Sequence, residues 1–191
     1  MSALTEYVGN PLLRDEWDPL VRAFELLLDV AARERPICLQ THTHRHGLIT
    51  QTSPYVQFRA YQTGGLLVEV SGNLVVKPEL DATDIAQMRY FGWQLPEVEP
   101  DEFGESSGGN PNFSRDIDFA TSEEIASWIV TTLVVVYRLE PRDFFSLEAP
   151  YVVDLLADAG LLARLTATQS NPFATIFCMP GYHTDMTQQA I

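Results

Sequence analysis

The chain has 191 residues, 46% of them hydrophobic and 20% charged, which suits one soluble domain with or without an appendage. A domain of that length buries roughly 70% of its unfolded surface, enough for a core without disulfide or metal staples. Twelve basic against twenty-six acidic residues leave −14 at pH 7, a field that repels phosphate backbones and anionic lipid and argues against nucleic-acid and membrane-surface roles.

Met1 to Asn10 carries neither a basic n-region nor an apolar h-region, which points away from a secretory leader. The first helix is announced by Trp17, Leu20, Val21, Phe24, Leu27, Leu28 and Ala31, one wide apolar stripe at helical spacing. It must stop before Pro36, because a proline disfavours the helical conformation at Arg35. Ile37 to Thr41 reads as a strand, with a second at His46 to Thr50. Cys38 and Cys178 are too few and too far apart for a disulfide framework. Each is flanked by apolar residues, so both read as buried free thiols in a reducing cytoplasm.

Tyr55 to Tyr61 and Leu66 to Ser71 form the strongest hairpin signal. Val56, Phe58 and Ala60 in the first run, and Leu66, Val68 and Val70 in the second, share one parity. A three-residue loop at Thr63-Gly64-Gly65, with Gly65 left-handed, places Phe58 opposite Val70 and Arg59 opposite Glu69. The other face then carries Tyr55, Gln57, Arg59, Tyr61, Leu67 and Glu69. Ser71-Gly72-Asn73 turns the chain into a further strand at Leu74 to Lys77. A helix follows from about Ala82 to Phe91, capped by Asp81 and stopped at Gly92. Pro96 to Asp118 reads as a long break rich in Glu, Gly, Ser, Asn and Pro, a mobile or binding element.

Thr121 with Glu124 is a capping box opening a dense apolar helix to Tyr137. Its most apolar stretch, Ile129 to Tyr137, is interrupted by Thr131 and Thr132 and falls short of the ~20 residues that span a bilayer. Tyr151 to Leu165 reads as another helix, and Ala174 to Cys178 as an edge strand or tail. Grouped antiparallel strands with helices outside them indicate an α+β fold, not a doubly wound sheet.

Three of the four histidines, His42, His44 and His46, share one face if they lie on a strand, about 7 Å apart. That pattern supplies ligands for a transition metal only if other groups converge on it. Glu97, Glu99, Asp101, Glu102 and Glu105 lack the alternating ligands and placed glycine of a calcium loop, and read as a solvated acidic loop. No nucleophile has an adjacent base and orienting group, and neither Gly64-Gly65 nor Gly108-Gly109 has a phosphate loop's lysine or helix start. No cofactor is called for. What remains is the aromatic and charged sheet face, on which Tyr55, Arg59, Tyr61, Leu67 and Glu69 are the candidate partner-binding residues. The competing reading of that face is that a C-terminal element packs on it.

Tyr55-Val56-Gln57-Phe58, then Gly65 to Ser71, then Phe91-Gly92-Trp93-Gln94-Leu95-Pro96, then Pro111-Asn112-Phe113 before a long apolar helix, resembles the YbjN-like domains. These are grouped with type III secretion chaperones as peptide-binding-chaperone-like (TY-Chap) domains. The resemblance covers about residues 55–145, with 11–50 fitting as the leading helix and first strand. It implies an α–β–β–β–α–β–β–α layout, a curved antiparallel sheet backed by helices, and pairing as a homodimer. The two strands it sets after the second helix have no counterpart in the glycine-rich break. It brings no catalytic residues, and Gly92, Trp93 and Pro96 read as a helix stop, a core aromatic and a rigid turn.

The expectation is an α+β domain over 11–148, an antiparallel meander packed against helices, with a C-terminal helix and tail, 149–191, packed on it or extending it. Its role is that of a non-enzymatic cytoplasmic protein binding a polypeptide client. The alternatives are a metal- or small-ligand-binding protein using His42, His44 and His46, and a structural subunit of a larger assembly.

Overall fold

The structure, a computed structural model, describes residues 4, 6, 17–31, 37–42, 54–61, 64–74, 76, 79–98, 109–140 and 144–147. The described elements run α1 (Asp18–Ala31), β1 (Ile37–His42), β2 (Tyr55–Ala60), β3 (Leu66–Val70), α2 (Ala82–Tyr90), β4 (Phe113–Ile117), α3 (Ser122–Val135) and β5 (Phe144–Leu147). The strands form one antiparallel sheet of order β4-β3-β2-β1-β5. β1, β2 and β3 lie side by side as expected, β4 adds to β3, and β5 returns to pair with β1 at the far edge. The segments His46–Thr50, Tyr151–Leu165 and Ala174–Cys178 lie outside the described residues.

Alternation decides what the sheet buries. Ile37, Leu39, Val56, Phe58, Val68, Val70, Phe113 and Ile117 all point to one face and are buried there. Against that face lie α1 and α3, which also pack on each other. Phe24 of α1 meets Phe58 edge-on at 6.1 Å. Every residue of α3 from Glu124 to Leu133 is buried, as its dense apolar run requires. The expected capping box of Thr121 with Glu124 opens α3, and the expected N-cap Asp81 forms a second box with Asp84 at the start of α2.

The α2 terminus explains the Gly-Trp pair. Gly92 adopts φ +81°, and its N–H donates to Arg89 O while that of Trp93 donates to Met88 O, closing a Schellman motif with Met88 and Trp93 both buried. Trp93 stacks on Trp128 of α3 at 4.1 Å and donates from Nε1 to Thr132 Oγ1. Pro96 sits where β3 leaves the sheet, beside Gly72: a Cβ at that glycine would lie 2.1 Å from Pro111 O and 3.2 Å from Pro96 Cγ.

Five expectations need correction. In the hairpin, Phe58 faces Val68 and Arg59 faces Leu67, rather than Val70 and Glu69. The turn closes one residue earlier, with Tyr61 N–H donating to Gly65 O, and Gly64 and Gly65 both take positive φ. The register thereby moves by two residues, which keeps every side chain on its expected face.

No strand forms at the described residues of Leu74–Lys77. Asn73 instead holds a turn there, accepting from Leu80 N–H and donating to Leu80 O. The place beside β3 belongs to β4, which lies inside the stretch Pro96–Asp118 read as a loop. Among the described residues the implied β–β–α order after α2 is observed as β–α–β, with one strand before α3 and one after it. Cys38 is half-buried, not buried, because alternation turns it away from the face that Ile37 and Leu39 share. It forms no disulfide among the described residues, and Cys178 lies outside them.

Candidate functional site

The helices occupy one side of the sheet, and among the described residues none packs on the other. Tyr55, Gln57 and Arg59 of β2, with Tyr61 just beyond it, alternate with the buried positions and line the open side. Leu67 and Glu69 of β3, and Ser114 and Asp116 of β4, continue it across the sheet. All five candidate residues named from sequence therefore share this face. Arg59 and Tyr61 are exposed, whereas Tyr55, Leu67 and Glu69 are half-buried.

Hydrogen bonds between side chains order this surface. Gln57 Nε2 donates to Glu69 Oε2, and Asn110 Nδ2 donates to Glu69 Oε1 at 2.6 Å. Asn110 Oδ1 accepts from the backbone N–H of Asn112, whose own Oδ1 accepts the Tyr55 hydroxyl at 2.9 Å. At the opposite corner the Tyr61 hydroxyl donates to Asp116. Partial burial raises the Tyr55 pKa above its usual value, and the bond to Asp116 raises that of Tyr61. Both phenols stay protonated at neutral pH and act as donors.

Sequence reasoning missed Asn110, Asn112 and Asp116. The Pro111-Asn112-Phe113 run was the available signal: Phe113 enters the core while Asn112 anchors Tyr55. β4 itself was hidden because Arg115 occupies an inward position between Phe113 and Ile117, breaking the apolar alternation. That guanidinium lies 4.9 Å from the Trp128 ring centroid and donates to Phe91 O. Trp128 Nε1 donates to the same carbonyl, so β4, α2 and α3 meet at one oxygen.

Of the histidine cluster, His42 closes β1, and His44 and His46 lie outside the described residues. No group of three metal-ligating side chains converges among the described residues. Glu97 is tied to Asn110 by a reciprocal pair, Glu97 N–H to Asn110 O and Asn110 N–H to Glu97 Oε2. None of the described helices is long and apolar enough to cross a membrane.

A helix-backed antiparallel sheet whose other face is polar, aromatic and open among the described residues defines an α+β protein of the type III secretion chaperone-like fold. Residues 11–151 match the family described as T3SS (YopN, CesT) and YbjN peptide-binding chaperone 3, or TY-Chap3, and the chain belongs to that family. Neither a curated protein nor a solved structure gives a match.

Proposed function

We propose that the chain binds a polypeptide client on the open face of its sheet, through Tyr55, Arg59, Tyr61, Leu67 and Glu69, and acts without catalysis. The observation that carries this is one ordered, half-exposed aromatic and polar face in a member of a peptide-binding chaperone family. Phenol rings held by hydrogen bonds offer apolar area at little further entropic cost, which suits adaptable protein recognition. The same reading places the client-binding domain at 11–148, with 149–191 as a C-terminal helix and tail. It also makes the protein a cytoplasmic homodimer, with which a Cys38 that forms no disulfide among the described residues is compatible.

The test is copurification from the native host, with light scattering on the same sample. A stoichiometric polypeptide should accompany the wild type and be lost from the Tyr55→Ser/Tyr61→Ser/Leu67→Ser variant, with circular dichroism unchanged. The client-free protein should show about twice the chain mass of 21.4 kDa. A variant that still captured the polypeptide would move the site off this face, and a mass of one chain would remove the dimer.

A further inference from the structure

Among the described residues, the open face contains two carboxylates that no cation neutralises. Glu69 is held by the neutral amides of Gln57 and Asn110, and Asp116 by the neutral hydroxyl of Tyr61. Arg59 is the one cation of that face among the described residues, and no ion pair joins it to either acid. The register sets Leu67 against Asp116 and Glu69 against Ser114, so Glu69 and Asp116 are diagonal neighbours, about 7–8 Å apart. Alternate side chains of an extended polypeptide repeat at nearly that distance, about 6.7 Å.

A second observation comes from Asn112, which is 5% exposed. Its Oδ1 takes the Tyr55 hydroxyl, and among the described residues its Nδ2 has no acceptor. A buried donor left unmatched carries a desolvation cost unless something outside the fold meets it. It sits beside Tyr55 and is linked to Glu69 through Asn110, so it belongs to the same surface.

We propose that the client segment is basic and extended: lysine or arginine side chains two residues apart meet Glu69 and Asp116, and a main-chain carbonyl accepts from Asn112 Nδ2. This rests on the client-binding reading of the open face and adds the chemistry of what is bound. The net charge of −14 steers such a segment toward the protein, and the paired carboxylates fix where it settles.

The test uses the full chain and fluorescence anisotropy with a labelled peptide of alternating lysine and threonine. Matched peptides carry glutamine or glutamate in place of lysine. The lysine peptide should bind roughly five- to tenfold more tightly than the glutamine peptide, as two partly exposed ion pairs allow. Glu69→Gln/Asp116→Asn should level the two. Glu25→Gln/Glu123→Gln removes the same charge from the helix layer and should leave the preference in place. Asn112→Ala should weaken both peptides alike, and unchanged affinity for both would remove the amide from the site.

A preference that survives Glu69→Gln/Asp116→Asn, or falls equally in both double variants, overturns the proposal in favour of the general field. Equal affinity for lysine and glutamine peptides, lost in the Tyr55/Tyr61/Leu67 serine variant, overturns the basic segment and leaves the open-face reading standing. If no peptide binds, both readings fall.

Discussion

At Phe91 O the backbone carbonyl ending α2 accepts from Arg115 Nη1 and Trp128 Nε1, and the next residue must leave them room. An alanine Cβ at Gly92 would come within 2.8 Å of Arg115 Nη1, in a left-handed conformation that costs an L residue roughly 1–2 kcal/mol. At Gly72 the obstacle is the Pro111 carbonyl, which is backbone and cannot swing aside. Gly72→Ala should therefore destabilise more than Gly92→Ala in urea unfolding; the reverse order would mean that the Pro111 turn yields easily.

Tyr137 makes a different kind of contact, its hydroxyl donating to Ser71 O at 2.6 Å. Burial of that hydroxyl holds its pKa well above the usual tyrosine value. The folded state thus keeps the proton longer than the unfolded chain does. Stability from this group is complete below the unfolded pKa of about 10 and is lost as pH rises beyond it. Tyr137→Phe should cost about 1 kcal/mol at neutral pH through the lost bond. It should also flatten the alkaline fall in stability, and denaturation at a series of alkaline pH values reads both effects.

The elements differ in how openly the sequence declares them. α1 and α3 carry apolar runs at helical spacing, and α3 adds a local capping box, so both helices lie close to where they are expected. The β2–β3 faces were legible from parity alone, although the turn was not. Two neighbouring glycines each able to take positive φ left the closing pair ambiguous, and parity is blind to a shift of two. β4 was illegible for a physical reason: its inward Arg115 is received by Trp128 and Phe91 O, which are distant in sequence. The candidate face followed from β2 and β3, and its β4 margin stayed hidden with that strand.

Caps also make an element sensitive to acid. Asp81 accepts from the N–H groups of Thr83 and Asp84, and these bonds lower its pKa below the ordinary aspartate value. The charged cap stabilises α2 above the unfolded pKa, and that contribution is lost as pH falls through the lower, folded one. Asp81→Asn keeps a good cap without the titration. The gap between variant and wild type should hold steady near neutrality and change only below about pH 4. An identical acid profile would show that Asp81 does not contribute. At its other end α3 meets α2 through Arg138, which takes φ +57°, donates to the helix carbonyls Val135 O and Val136 O, and pairs with Asp84 at 2.8 Å.

For the molecule as a whole, the sheet divides the labour. Its covered side joins α1, α3 and the Trp93–Trp128 stack into one core. Among the described residues its other side pairs polar groups with each other rather than with a helix, which sustains a half-exposed surface. At neutral pH the excess of acid opposes indiscriminate aggregation of such a surface. Near the isoelectric point of about 4.5 that protection should vanish, and light scattering should rise sharply there.

The strand order also fixes a timetable. β2 and β3 meet across a tight turn, β3 meets β4 only after the chain has passed through α2, and β1 must wait for β5 across more than half of the chain. Each longer closure sacrifices more chain entropy before any contact rewards it. Folding should begin at the central hairpin and finish at the β1–β5 seam. Val68→Ala should then slow refolding, whereas Leu39→Ala should mainly hasten unfolding. Stopped-flow chevrons with the opposite assignment would place the nucleus at the sheet's edge. A chain emerging from the ribosome would accordingly hold a nearly complete sheet, one strand short, until its last quarter was made.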